Sequence, residues 1–326
     1  MNDSNDPIGS GNEMNREEIS MFASGKASSG EAEGKTAAFA QGGTAVVLPD
    51  GIEERCPEAC MTTSEGVDYG EFTHGTYFSK TCGMERGYSI LLPSGYDGEK
   101  HYPVLYLLHG IFGDEYSFSG DPGNKLKEIF VNMAEDGSTR EMIVVCPNMF
   151  AATDPDQKPG FDAQACIPYD NFINDLVNDL MPYIESHYAV LTGRKNTYLA
   201  GFSMGGRETI YITLMRPELF GYVCSISAAP GIVPTKDKFM EHPGQMTESE
   251  MRFAKDAVEP EAFILCCGSS DSVVGTYPES YHEIFTRNGA AHIWYEISGA
   301  DHDNDAIRSG LYNLLKNIGA DKAKDE

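Results

Sequence analysis

Basic side chains are scarce in this chain. Its 326 residues hold 24 Lys and Arg against 50 Asp and Glu, a formal charge of −26. Nucleic acids are held through Lys/Arg surfaces set against phosphates, so this deficit excludes them as partners. Long apolar runs are missing too. No stretch approaches the roughly 20 residues of a membrane span, and no membrane partner is expected. The opening residues 1–12 are polar and acidic, where a secretory leader would carry a basic and then an apolar segment. Two expectations follow: a cytosolic protein, or a secreted one whose leader is not in this sequence. Tryptophan occurs once, at Trp294.

A metal-binding cysteine pattern is also lacking. Of eight cysteines, Cys146, Cys224 and Cys266 fall in apolar, strand-like runs and Cys267 adjoins one, which predicts buried free thiols. Cys56 and Cys60 are spaced for a local disulfide or for half a metal site, but no neighbouring Cys/His pair completes the latter. Asp301, Asp303 and Asp305 alternate as in a calcium loop. That pattern then fails, with Ala306 where a glycine is needed and Tyr312 where a bidentate glutamate is needed. No metal and no cofactor is expected.

What the chain does have is core material, 41% hydrophobic residues, unevenly spread. Residues 1–45 are rich in Gly, Ser, Ala, Asn and Glu and read as a flexible acidic tail or linker. Residues 46–320 read as one catalytic domain and 321–326 as a polar C-terminal tail. Within the domain, residues 71–79 and 86–92 resemble an antiparallel pair turning at Cys82-Gly83. Residues 104–108 form a continuous apolar run, as a buried central strand does. Further strands are expected at 142–146, 197–200, 222–226, 262–266 and 292–297. Helices are expected at 124–135, 169–187, 207–215 and 309–318. Phe172, Leu176, Leu180 and Ile184 mark one face of the second. Alternating strands and helices predict an α/β fold, a mostly parallel central sheet with helices on both faces. Residues 230–260 are irregular but hold Phe239, Met240, Met246, Met251 and Phe253, which suits a lid over a site or a surface excursion packed on the core.

The most informative stretch is Gly201-Phe202-Ser203-Met204-Gly205-Gly206. A strand leads in and a helix leads out, the setting of a nucleophile elbow that lifts a serine hydroxyl above a sheet. Glycine at 201 and 205 avoids side-chain collision across so tight a turn. Ser203 is the candidate nucleophile. A serine needs an imidazole to take its proton and a carboxylate to orient that imidazole, in the chain order Ser, acid, His for this fold. Asp271 follows the strand at 262–266, and His302 follows the strand at 292–297. His282 and His292 are rival bases but sit on a helix and at a strand start. Asp301 and Asp303 are rival acids, too close in sequence to His302 for good geometry. The oxyanion donors are assigned to the N–H groups of Met204 and Ile111, with Gly110 as the alternative to Ile111. His109 is read as bracing that loop.

The runs Pro103-Val104-Leu105-Tyr106-Leu107-Leu108-His109-Gly110, Asn171-Phe172 with Asp175-Leu176, Pro182 to Glu185, Ala200 to Gly206, Ile226-Ser227-Ala228-Ala229-Pro230, Cys267 to Ser272 and Gly299 to Asp303 carry a resemblance. They resemble the feruloyl and acetylxylan esterases of the esterase-D-like α/β-hydrolases, most closely the bacterial feruloyl esterase domains attached to xylanases. The resemblance covers about residues 70–318. It implies the α/β-hydrolase fold and a serine carboxylesterase that frees ferulate from arabinoxylan through an acyl-enzyme. Feruloylated or acetylated xylan oligosaccharides are the implied partners, and secretion the implied location. The family's triad falls on Ser203, Asp271 and His302. Several relatives carry a tryptophan beyond the histidine, where this chain has Ile307. The same machinery also suits acetylated xylan, a thioester such as S-formylglutathione, or acyl transfer to a sugar hydroxyl. A catalytically dead carbohydrate-binding module is disfavoured by the complete triad.

Overall fold

The computed structural model describes the backbone of residues 48–325 and side chains through residue 319. The expected tail at 1–45 lies outside the described residues. After a short helix α1 (Glu58–Met61), strands β1 (Thr73–Ser79) and β2 (Met84–Leu91) form a hairpin in which Ser79 pairs with Met84. Then come β3 (Val104–Leu108), α2 (Leu126–Glu135) and β4 (Ile143–Pro147). Next are α3 (Ala163–Asp175), a π-helical turn (Leu176–Leu180) and α4 (Met181–His187). The elbow strand β5 (Thr197–Phe202) feeds α5 (Met204–Met215), followed by β6 (Tyr222–Ile226) and a two-stranded hairpin, β7 (Thr235–Lys236) and β8 (Glu241–His242). β9 (Ala262–Gly268), α6 (Tyr277–Asn288), β10 (Ile293–Ile297) and α7 (Asn304–Asp325) complete the chain.

Eight strands form one sheet in the order β1-β2-β4-β3-β5-β6-β9-β10, in which β2 alone runs against the other seven. Successive side chains of a strand point to opposite faces, so a sheet covered on both sides needs apolar residues at every position. β3 shows this directly. Val104, Tyr106 and Leu108 enter one core with residues of α3, α5 and α6, while Leu105 and Leu107 enter the other with residues of α2 and α7. The fold is the α/β-hydrolase arrangement, and its parallel strands end together at one edge, where such sheets hold their ligands.

Two helices differ from the sequence expectation. The helix expected from residue 169 begins at Ala163, capped by Asp162, whose carboxylate accepts the Ala165 N–H at 2.9 Å. Pro168 sits inside it. The Gln164 carbonyl that loses its backbone partner there accepts instead from Gln157 Nε2 at 3.2 Å, which offsets the cost of proline in a helix. The closing helix runs from Asn304 to Asp325, well beyond 309–318 and through most of the stretch read as a polar tail. Its start is set by Asp303, whose Oδ1 accepts the Asp305 N–H at 2.9 Å.

Candidate active site

The elbow follows from close packing. A Cβ on Gly201 would stand 2.2 Å from the Gly205 carbonyl oxygen, and one on Gly205 would stand 2.2 Å from that of Leu108. Ser203 takes φ 58°, the left-handed value that so sharp a strand-to-helix turn demands. Two backbone bonds tie it down: its N–H donates to Ile226 O at 2.9 Å, and its carbonyl accepts the Ala229 N–H at 2.9 Å.

Asp271 lies just past β9 and His302 just past β10. His302 Nδ1 donates to Asp271 Oδ2 at 2.8 Å, while the Val273 and Val274 N–H groups donate to Asp271 Oδ1 at 3.0 and 2.9 Å. Burial pushes the Asp271 carboxyl up, but the His302 ring and these hydrogen bonds outweigh it and hold the group below the usual carboxylate range. The His302 ring packs 4.3 Å, centroid to centroid, from that of Phe202, the residue before Ser203. Ser203, Asp271 and His302 are all buried. No hydrogen bond closes between the Ser203 hydroxyl and the His302 ring among the described residues, and such contacts characteristically tighten on substrate binding.

The rivals separate cleanly. His282 and His292 bond to one another at 2.8 Å, with Trp294 stacked on His282. Asp301 braces the acid loop, accepting the N–H groups of Ser272 and His302 at 2.7 and 2.8 Å. Cys56 and Cys60 are free thiols. Among the described residues, no group of three or more His, Cys, Asp or Glu stands together in a way that could hold a metal ion.

Met204 opens α5, so its N–H has no acceptor one turn earlier in the helix. The loop after β3 presents the Ile111 N–H. Phe112 (φ 63°) turns the chain there, and its own N–H donates to Tyr169 Oη at 3.1 Å. Beside Ser203 opens a cleft lined by Ile111, Met204, Phe161, Phe239, Met240 and Val274, among others. Phe161 and Phe239 stack face to face, 4.6 Å apart and 10° from parallel. Phe239 and Met240 belong to the 230–260 segment, through the β7–β8 hairpin; Phe161, from the loop before α3, has no signal in sequence beyond being an aromatic in a polar stretch. The hairpin is anchored to the acid loop, since Lys238 Nζ donates to Ser272 O at 2.6 Å.

Sequence reasoning gave no hint of a buried charge cluster under the elbow helix. Arg207 Nε donates to Glu208 Oε1 at 2.9 Å, and Arg207 also pairs with Asp170. Gln245 Nε2, from the segment after β8, donates to Asp170 and Glu208 at 3.1 Å. Burial drives Glu208 up to about 7 against the pull of Arg207. In sequence, residues 207 and 208 only open an expected helix, and the packing of α3 and residue 245 against them reveals the cluster.

A nucleophile elbow at the carboxyl edge of a mixed sheet, an acid–histidine pair beside it and an apolar cleft define a carboxylic ester hydrolase of the α/β-hydrolase class. The Esterase family model matches residues 79–307, and the chain belongs to that family. It is similar to the solved CE1 ferulic acid esterase of Anaeromyces mucronatus in complex with ferulic acid. That likeness has 44% identity and a TM-score of 0.78, and covers 82% of this chain and 98% of that one. It is also similar to an endo-1,4-beta-xylanase/feruloyl esterase of Xylanibacter ruminicola, 33% identical over 161 residues, or 48% of this chain. The match spans only 21% of that much longer relative.

Proposed function

We propose that this chain hydrolyses hydroxycinnamate esters, ferulate first among them, carried by arabinoxylan, with residues 46–320 as the catalytic domain. Ser203 Oγ attacks the ester carbonyl while His302 takes its proton, and Asp271 steadies the imidazolium so formed. The N–H groups of Met204 and Ile111 bear the oxyanion. His302 then gives its proton to the departing sugar oxygen, and a water molecule, deprotonated by the same ring, releases the acyl group and restores Ser203.

The observation that carries this reading is the aromatic-walled cleft beside Ser203. An acetyl group leaves such a space empty, whereas a flat aryl-propenoyl group fills it against Phe161 and Phe239. The likeness to a ferulic acid esterase covering nearly the whole of that chain supports the same substrate.

The test is a panel of methyl ferulate, 4-nitrophenyl acetate, acetylated xylan and S-formylglutathione. Methyl ferulate should give the highest kcat/KM and release ferulate, and Ser203→Ala should abolish turnover. Preference for the acetyl or thioester substrates would reject the substrate. Full activity in Ser203→Ala would reject the nucleophile.

A further inference from the structure

The Ile111 N–H shares a peptide plane with the Gly110 carbonyl, which accepts from His109 Nδ1 at 2.6 Å. The other ring nitrogen, Nε2, accepts the Met149 N–H at 2.9 Å. The His109 ring thus joins the loop after β3 to the loop after β4. Its orientation depends on where the Met149 N–H points.

Arg86 controls that direction. It lies on β2, the strand paired with β4, and is buried. Its Nη2 donates to Asn148 O at 2.5 Å and its Nη1 to Phe150 O at 2.7 Å, the carbonyls on either side of Met149. Asn148 O and the Met149 N–H belong to one trans peptide plane and point in opposite directions. A grip on the carbonyl therefore aims the N–H at His109, just as the grip on Gly110 O aims the N–H of Ile111. The Asn148 N–H donates in turn to Gly87 O at 3.1 Å, which ties the same stretch to β2.

The guanidinium is itself held. Nε donates to Asp175 Oδ2 at 2.9 Å, and the Tyr77 hydroxyl donates to the same oxygen at 2.6 Å. Asp175 is fully buried at the end of α3. A buried ion pair is often no more stabilising than an apolar pair of the same volume, so stability alone does not account for its place here. Arginine presents its donors in a rigid planar fork that can hold one carboxylate and two carbonyls at once. A lysine ammonium is a point charge on a flexible stem and cannot fix the three together.

We infer that Arg86 is a positioning residue for the oxyanion donor of the loop after β3: it aims the Met149 N–H, which orients His109, which aims the Ile111 N–H. The inference rests on Ser203 as the nucleophile and on Ile111 as an oxyanion donor.

The experiment compares Arg86→Lys, Arg86→Met, His109→Ala, Ser203→Ala and the double variant Arg86→Lys/His109→Ala in the full chain. The substrate is 4-nitrophenyl acetate, so the result does not depend on the acyl preference. A misaimed donor costs less than a deleted one, so kcat should fall about tenfold in both Arg86 variants. The KM should change less than about twofold, because the oxyanion forms only after binding. Arg86→Lys keeps a charge beside Asp175 and carries the test if Arg86→Met does not fold. The two residues act on one path, so adding Arg86→Lys to His109→Ala should lower kcat by less than about a further twofold. A merely structural arginine would cost as much in that background as in the wild type. The nitrogen resonance of His109 Nε2 should move in Arg86→Lys, and that of His302 should not.

Wild-type kcat in either Arg86 variant overturns the inference, as do full additivity with His109→Ala or an unmoved His109 resonance. If Ser203→Ala still turns over, the nucleophile assignment falls and takes this inference with it. If Ser203→Ala is inactive but His109→Ala keeps the wild-type kcat, the path to Ile111 falls. A slow His109→Ala beside fully active Arg86 variants removes the role of Arg86 alone.

Discussion

His109 donates from Nδ1 to the carbonyl oxygen of Gly110 at 2.6 Å, and that carbonyl shares a peptide plane with the Ile111 N–H. In a trans peptide the two groups point in opposite directions, so holding one aims the other. The far ring nitrogen, Nε2, accepts the Met149 N–H at 2.9 Å, which fixes the neutral Nδ1–H tautomer. The imidazole thus sets the direction of the N–H proposed above as an oxyanion donor. His109→Ala should lower kcat about 10- to 100-fold, somewhat less than outright loss of a donor, with a small change in KM. Steady-state kinetics on methyl ferulate check this, and an unchanged kcat would show that the loop holds itself.

The same residue links stability to pH. Burial lowers the His109 pKa to about 4 from its ordinary 6.5. Below 6.5 the unfolded chain takes up a proton that the folded chain refuses until about pH 4. The stabilising contribution is therefore complete above 6.5 and is lost as pH falls through that window, by up to ~3 kcal/mol. Urea unfolding at pH 7 and pH 4.5 should show a steeper loss in the wild type than in His109→Gln. Equal losses would mean that the imidazole is already charged in the fold.

Phe239 forms one wall of the cleft, stacked on Phe161. Truncating it removes apolar area from an aromatic acyl group but not from an acetyl group. Phe239→Ala should cut kcat/KM for methyl ferulate roughly 10- to 100-fold, since burying such a ring is worth ~1.5–3 kcal/mol. Turnover of 4-nitrophenyl acetate should stay within about twofold. Parallel losses on both substrates would instead indicate a collapsed hairpin.

Arg207 is the cation of the cluster under the elbow helix, facing Glu208 and Asp170. Arg207→Met leaves the buried Glu208 and the half-buried Asp170 without their cation and should destabilise the fold by ~3–5 kcal/mol. Gln245→Ala removes a single neutral donor shared by the two carboxyls and should cost ~1–2 kcal/mol. Denaturant titration ranks the two, and a reversed ranking would show that the amide, not the guanidinium, holds the cluster.

Legibility varied with how local the cause was. Strands β3, β5, β6 and β9 were plain as apolar runs because both faces of the sheet are covered. The helix expected from residue 169 begins six residues earlier, at Ala163, with Pro168 inside it, and the rescue of the Gln164 carbonyl by Gln157 is a contact that periodicity cannot show. Asp303 looked like part of an acidic turn, yet it caps α7, whose length depends on packing against the second core.

By itself the chain determined the elbow, since Gly201 and Gly205 are dictated by backbone collisions within one turn, and the order in which Ser203, Asp271 and His302 follow their strands. The cleft walled by Phe161 and Phe239 and the pinned peptide before Ile111 were decided only by the tertiary structure. Each joins residues from separate segments, and what brings them together is the burial of two apolar cores against one sheet, not any preference carried by neighbouring residues.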